Sequence, residues 1–325
     1  MKTGDNVVLE VSNLKTYFFT RRGVVKAVDG LDFHLRRGEC LCLVGESGCG
    51  KTVTALSILK LVDSPPGKIV EGEIRYDSLD LVKCSSKQLR QIRGKEIAMV
   101  FQEAQSALNP VLTIGDQIME QIMLHLPLER NEAQNRSMAL LREMGIPSVE
   151  RVMKSYPHQL SGGMKQRAMI AMSLSCDPTI IIADEPTTAV DVTIEAQILG
   201  IFRSLKEQRQ LSLIFITHDL AVVAEIGDRA VVMYAGKEVE TAPVSEIIAN
   251  PRHPYTAGLI RCLPDISRPA DRLVSIPGFA PNPVELPGGC AFHPRCSEGM
   301  PICSQQAPPV VELSTEHRVR CHLYR

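Results

Sequence analysis

Gly45-Glu46-Ser47-Gly48-Cys49-Gly50-Lys51-Thr52 is a stretch built to hold polyphosphate. It fits the pattern G-x-x-x-x-G-K-[ST], in which glycines let the backbone wrap a phosphate, a lysine supplies a point charge and a hydroxyl can ligate Mg²⁺. Lys51 and Thr52 fill the last two places. The flanks agree. Cys40 to Val44 is a short apolar run that reads as a buried strand, and Thr52 to Leu61 reads as a helix. A phosphate at such a junction meets unpaired N–H groups and the positive end of the helix dipole. A chance glycine-rich turn does not explain a strand and a helix in place on either side. The expectation is a site for a nucleoside triphosphate.

Composition sets the bounds around that site. The chain has 325 residues, 44% of them apolar and 22% charged, the proportions of a soluble globular protein with room for one large core and a smaller unit. A formal net charge of −1 gives no polyanion-binding surface, so no nucleic-acid partner is expected. No apolar run approaches the ~18–20 residues that span a bilayer. The opening Met1-Lys2-Thr3-Gly4-Asp5-Asn6 lacks the apolar stretch of a signal peptide. A cytoplasmic chain, able to dock onto a membrane protein, is expected. Ten cysteines are many for a reducing compartment, where disulfides are rare, and they raise the question of metal ligation.

Apolar runs that read as strands recur at Val7–Val11, Cys40–Val44, Glu73–Tyr76, Ile97–Phe101, Ile180–Ala183, Leu213–Thr217 and Ala230–Tyr234. Helical periodicity separates many of them, as at Thr113–Leu126, Asn131–Met144, Gly162–Ser175 and Val192–Lys206. The alternation predicts an α/β fold with a largely parallel core sheet. Residues 104–158 are helical in pattern with no strand, which reads as a helical subdomain inserted into that core. After about residue 264 the composition shifts: residues 264–310 are rich in Pro and Gly, poor in periodicity and carry closely placed cysteines, so a small loop-built appendage is expected there. The predicted division is therefore 1–263 and 264–325.

Two further motifs carry chemistry. Ile180-Ile181-Ile182-Ala183-Asp184-Glu185 is an apolar strand ending in two carboxylates. An acid at a strand end beside a phosphate loop can hold the nucleotide's Mg²⁺, which suits Asp184. Glu185 is then placed as general base for the attacking water. Leu160-Ser161-Gly162-Gly163-Met164 precedes a helix: Ser161 is a good N-cap, and the glycines leave N–H groups open to a second anion.

The phosphate loop, the Leu-Ser-Gly-Gly-Met signature, the strand ending in Asp-Glu and the later Ile216-Thr217-His218-Asp219 together resemble the nucleotide-binding subunit of an ATP-binding cassette (ABC) protein. The resemblance runs from about residue 7 to the end, and it implies a P-loop ATPase fold. It also implies roles: Phe18 stacking on adenine, with Tyr17 and Phe19 as neighbours, and Gln102 reaching Mg²⁺ and water. Asp191, in Thr188-Ala189-Val190-Asp191, matches the loop that communicates across a dimer, and His218 matches the contact to the γ-phosphate. Two such subunits would pack head to tail, the signature of one closing on ATP held by the other. Met164 departs from the glutamine of many relatives. The tail narrows the resemblance. Pro251-Arg252-His253-Pro254-Tyr255-Thr256, Ser275-Ile276-Pro277-Gly278 and Gly289-Cys290 with His293-Pro294-Arg295-Cys296 are similar to the oligopeptide/dipeptide permease ATPases. That branch implies peptide import driven at the cytoplasmic face of the membrane. Its partners are two transmembrane permease subunits, a second and usually non-identical ATPase, and an extracytoplasmic binding protein. Nickel and oligosaccharide importers are close alternatives; a soluble ABC ATPase outside transport is a more distant one.

Cys290, Cys296, Cys303 and Cys321 are separated by five, six and seventeen residues. Four thiolates in a loop-rich segment suit a [4Fe–4S] cluster, and the resemblance implies one. Structural zinc is the alternative, although zinc pairs usually sit closer. His293 and His322 stand beside these cysteines as substitute ligands. Cys40 and Cys42 read as small core residues, Cys49 as a filler at a variable loop position, and Cys84, Cys176 and Cys262 as scattered thiols.

Overall fold

Two long strands open the chain in the computed structural model, which describes residues 6–188, 190–263 and 275–324. β1 (Val7–Thr20) and β2 (Gly23–Arg36) form an antiparallel hairpin. Side chains alternate faces along a strand, and here Leu9 and Val11, then Leu14 and Thr16, are buried from β1 while Leu31, Phe33 and Leu35 are buried from β2. A register shift between Val11 and Leu14 keeps both pairs on the inner face. β3 (Cys40–Val44) follows, buried throughout, and leads into α1 (Lys51–Ile58). β4 (Gly67–Tyr76) pairs with the second edge of β1, and the short β5 (Leu79–Asp80) closes an antiparallel sheet of order β2-β1-β4-β5.

Residues 84–215 form a second compact unit. α2 (Ser86–Ile92) starts on a capping box, in which Ser85 accepts from the Gln88 N–H and the Gln88 side chain accepts from the Ser85 N–H. β6 (Ile97–Val100) lies parallel to β7 (Ile180–Asp184), with β8 (Ser212–Thr217) on the far side of β7. Between β6 and β7 the chain is helical: α3 (Ala104–Ala107), α4 (Ile114–His125), α5 (Arg130–Glu143), α6 (Val149–Met153) and α7 (Gly162–Ser173). Ile114, Ile118 and Ile122 repeat every four residues, so α4 buries one stripe. α8 (Val192–Arg209) joins β7 to β8.

The chain then returns to the first unit, Ile216–Arg325. α9 (Leu220–Ile226) precedes β9 (Arg229–Tyr234), which runs parallel to β3, and β10 (Lys237–Pro243) turns back antiparallel. α10 (Val244–Ala249), α11 (Pro254–Arg261) and α12 (Pro301–Gln305) follow, with β11 (Val311–Ser314) and β12 (His317–Val319) adding antiparallel strands beyond β10. Within this unit the order is β11-β12-β10-β9-β3. A buried ion pair ties its halves: Arg229 Nε donates to Glu39 Oε1 at 2.8 Å, with both side chains under 10% exposed. Removing one partner of such a pair costs about 3–5 kcal/mol, because the other charge stays buried alone.

The helical run and the strand–helix alternation match the sequence reading. In the core sheet β3 pairs parallel with β9 and β6 with β7, as expected, whereas β1, β2, β4 and β5 and also β10 to β12 pair antiparallel. β2 escaped notice because Lys26, Asp29 and Asp32 interrupt its apolar residues. The predicted boundary at 263/264 opens onto residues 264–274, which lie outside the described residues, as Met1–Asp5, Ala189 and Arg325 also do.

Candidate functional site

The phosphate loop runs from the end of β3 to the start of α1, and Gly50 at the turn has φ 106°, where a β-carbon would lie 2.2 Å from the Ala27 carbonyl oxygen. No other residue fits so close to that strand. Gly48, at φ 80°, faces open space. Lys51 is 4% exposed, and its ammonium donates to the carbonyls of Gly45 at 2.7 Å and Glu46 at 3.1 Å. A cation thus sits inside a ring of backbone at a helix start, which fits a bound polyphosphate. Thr52 follows in the first turn of α1, half-buried. Burial pushes the Cys49 thiol up, with Lys51 opposing, and keeps it unreactive.

Loop residues are also held from the far end of the chain. The Glu46 N–H donates to Tyr255 Oη at 2.8 Å, and the Glu46 carboxylate takes Arg295 at two points, 2.7 and 2.9 Å. Neither Tyr255 nor Arg295 was singled out by sequence reasoning. The signal was present in the His-Pro-Tyr and His-Pro-Arg-Cys segments, which were read only as family marks.

Of the remaining predicted residues of this unit, Phe18 pairs across the sheet with Gly67 on β4 and is half-buried. Its neighbour Tyr17 is committed to Asp29 at 2.5 Å, and burial with that bond pushes its phenol far up. His218 lies just after β8, exposed, ahead of Asp219, which caps α9 by accepting from the Ala221 N–H.

The second unit carries the others. Asp184 ends β7 at 2% exposure and Glu185 follows with φ 45°. Gln102, just past β6, donates to Glu185 Oε2 at 3.1 Å, and Thr188 Oγ1 donates to the same oxygen at 3.0 Å. The parallel pairing of β6 with β7 is what brings Gln102 to Glu185. Thr188 is a further residue missed from sequence. Ser161 caps α7, accepting from the Met164 N–H at 3.4 Å, and Gly162 and Gly163 form the first helical positions. Asp191 caps α8 through the Ile194 N–H at 2.9 Å. Ile194 packs 3.1 Å from the β-carbon position of Gly163, so the signature and the Asp191 turn touch.

The four late cysteines converge. Cys290, Cys296, Cys303 and Cys321 line one cavity of about 10 Å³ together with His293 and His322. Burial raises the thiols of Cys290 and Cys296, and that of Cys321 to about 11. His293 is tied to the Cys290 carbonyl, and His322 Nε2 to the Gln306 carbonyl, leaving His322 Nδ1 buried without a hydrogen bond. The donor types suit a cluster, yet among the described residues no three His, Cys, Asp or Glu side chains are grouped so as to hold a metal ion. The iron–sulfur expectation thus lacks ligand geometry among the described residues, with Cys303 and Cys321 buried and Cys290 and Cys296 half-buried. All ten cysteines are free. Cys40, Cys42, Cys84 and Cys176 are core residues.

Solved structures share this architecture. The chain superposes on the dimeric MJ0796, a bacterial ABC transporter cassette, with a TM-score of 0.66 at 26% identity, covering 73% of this chain and 98% of that one. CbiO1 from Clostridium perfringens, part of the ABC transporter complex cbiONQ, has the same fold at a TM-score of 0.64 and 24% identity, covering 76% and 92%. Fold and phosphate loop define an ATPase of the ABC class. The family model for ABC transporter matches residues 28–188, and that for the oligopeptide/dipeptide transporter C-terminal region matches 239–303. The oligopeptide transport ATP-binding protein AppD of Bacillus subtilis is 48% identical over 98% of this chain and 97% of its own. A peptide import ATP-binding protein of Brucella melitensis is 46% identical over 97% and 96%. The chain belongs to the ATP-binding subunits of the oligopeptide/dipeptide ABC transporter family.

Proposed function

We propose that this chain hydrolyses ATP to energise import of di- and oligopeptides through an ABC transporter. Near-half identity to AppD along almost the whole of both chains carries the reading, and the match of residues 239–303 to the peptide-transporter C-terminal region supports it. The working division is a cassette at 1–263, with residues 104–158 as inserted helical subdomain, and an appendage at 264–325. The partners proposed are two membrane permease subunits, a second, non-identical ATPase and an extracytoplasmic binding protein. Among the described residues no helix is long and apolar enough to cross a membrane; the likeness to peptide-import ATP-binding proteins supports a peripheral place at the cytoplasmic face, on the permease.

In this reading the amides of residues 45–52 and the Lys51 ammonium hold the β- and γ-phosphates. Thr52, Gln102 and Asp184 provide the oxygen donors that Mg²⁺ takes. When bound, the ion offsets charge on the phosphate oxygens. Glu185 orients and deprotonates the attacking water, His218 contacts the γ-phosphate, and Phe18 stacks on adenine. Ser161, Gly162 and Gly163 of one subunit close on the ATP of the other, and Asp191 links the two sites. Hydrolysis divides that bridge and lets the pair reopen.

The four cysteines are read as ligands of a [4Fe–4S] cluster, with zinc as the alternative. Their shared cavity and the unpartnered His322 Nδ1 support a ligand there. The function is tested by reconstituting the chain with its permease partners in vesicles. ATP-driven accumulation of short peptides is expected, and accumulation of nickel or oligosaccharides instead would replace the substrate.

A further inference from the structure

Glu46 is an odd residue for a loop that wraps a polyanion, since its carboxylate adds negative charge where phosphate must sit. Arg295 meets that carboxylate with Nη1 at 2.7 Å and Nη2 at 2.9 Å. The arginine has little freedom to do anything else. Its Nε donates to the Pro277 carbonyl at 2.9 Å, Nη1 reaches Tyr234 Oη at 3.2 Å, and the guanidinium lies 5.8 Å from the Tyr234 ring centre and 5.9 Å from that of Phe292. Its side chain is 6% exposed. A planar fork matched to a carboxylate at two points is a fit that lysine cannot reproduce.

The same contact joins two parts of the chain 249 residues apart in sequence. Arg295 directly precedes Cys296, and both Phe292 and Cys296 line the cysteine cavity. Tyr255, whose hydroxyl holds the Glu46 N–H, packs on Phe292 with ring centres 5.3 Å apart. Backbone and side chain of Glu46 are therefore both held by the C-terminal segment.

We propose that Arg295 is a positioning residue for nucleotide binding: through its two-point pair with Glu46 it neutralises a carboxylate on the phosphate loop and fixes the loop to the cysteine-lined appendage. This rests on the reading that the loop binds ATP. Arg295 does not touch nucleotide in this account; it acts through Glu46.

The test measures binding of a fluorescent ATP analogue and steady-state ATPase kinetics on the full-length chain. Arg295→Ala is expected to weaken nucleotide binding about tenfold, the scale of one charge contact, and to raise KM more than it lowers kcat. Arg295→Lys restores part of the affinity. The double variant Glu46→Gln/Arg295→Ala binds ATP more tightly than Arg295→Ala alone, because the uncompensated carboxylate is gone. A packing role alone would not give that recovery. Unchanged affinity in Arg295→Ala overturns the inference, as does a double variant no better than the single one. Should Arg295→Ala not melt cooperatively, comparison of the lysine variant with the parent decides, and equal KM values refute the two-point role. Lys51→Ala separates the two readings. If it leaves nucleotide binding intact, the loop assignment itself is wrong. If it abolishes binding while Arg295→Ala does nothing, only the inference fails.

Discussion

Glu185 has a left-handed backbone, with φ 45°, a conformation that non-glycine residues seldom adopt outside turns and constrained sites. Two donors, Gln102 Nε2 and Thr188 Oγ1, reach its Oε2. Such bracing suits a group that must meet water in one orientation. Glu185→Gln keeps the shape and removes the base, so turnover should fall by about 10²- to 10⁴-fold while nucleotide affinity changes little. Single-turnover hydrolysis beside equilibrium ATP binding checks this, and near-parental turnover would remove Glu185 from the chemistry. The residue was legible in sequence because an acid pair ends an otherwise apolar strand. Thr188 was not, since a threonine in a turn has many ordinary uses.

At the level of elements, α11 shows how a helix start is set by protonation. His253 caps it, its Nδ1 accepting from the Tyr255 N–H at 3.0 Å, and the ring is 1% exposed. An accepting nitrogen cannot carry a proton, and burial lowers the pKa from 6.5 to about 3. In the unfolded chain the same ring protonates near 6.5. Between those values the unfolded state binds more protons, so stability must fall as pH drops from 6.5 towards 3 and is unaffected above that window. Urea midpoints at pH 7.5 and 5 should differ more for the parent than for His253→Asn, which retains a capping acceptor without the titration; equal differences would reject this account. β10 illustrates what sequence hides. Its Glu238 and Glu240 mark a strand as exposed, yet both are buried, and Glu240 accepts from the Arg252 and His253 N–H groups and pairs with His317 Nε2. Those partners lie on later segments, so no local pattern signals them. β3, β7 and β9 were legible for the opposite reason, being buried from end to end.

For the molecule as a whole, ordered motifs revealed the class, whereas the pairing of Glu46 with Arg295 needed coordinates. The cysteine-lined cavity calls for a measurement on the complete chain. Protein purified without oxygen should contain about four irons and four sulfides per chain, lost on changing Cys296 and Cys303 to Ser. One zinc and no visible absorption would make the appendage a zinc module, and absence of both metals would leave only packed thiols. The chain path has a further consequence, for biosynthesis. The first unit is interrupted after Lys83 and resumes at Ile216, and the Cys40 N–H is bonded to Asp228, 188 residues later. At about 5–20 residues per second, a ribosome needs roughly 10–40 s to deliver β9 after β3 has been made. Through that interval the contiguous second unit can fold while five apolar residues of the first wait for their parallel partner. In a nascent chain of this design the first unit is completed only late in synthesis, after the second has been made.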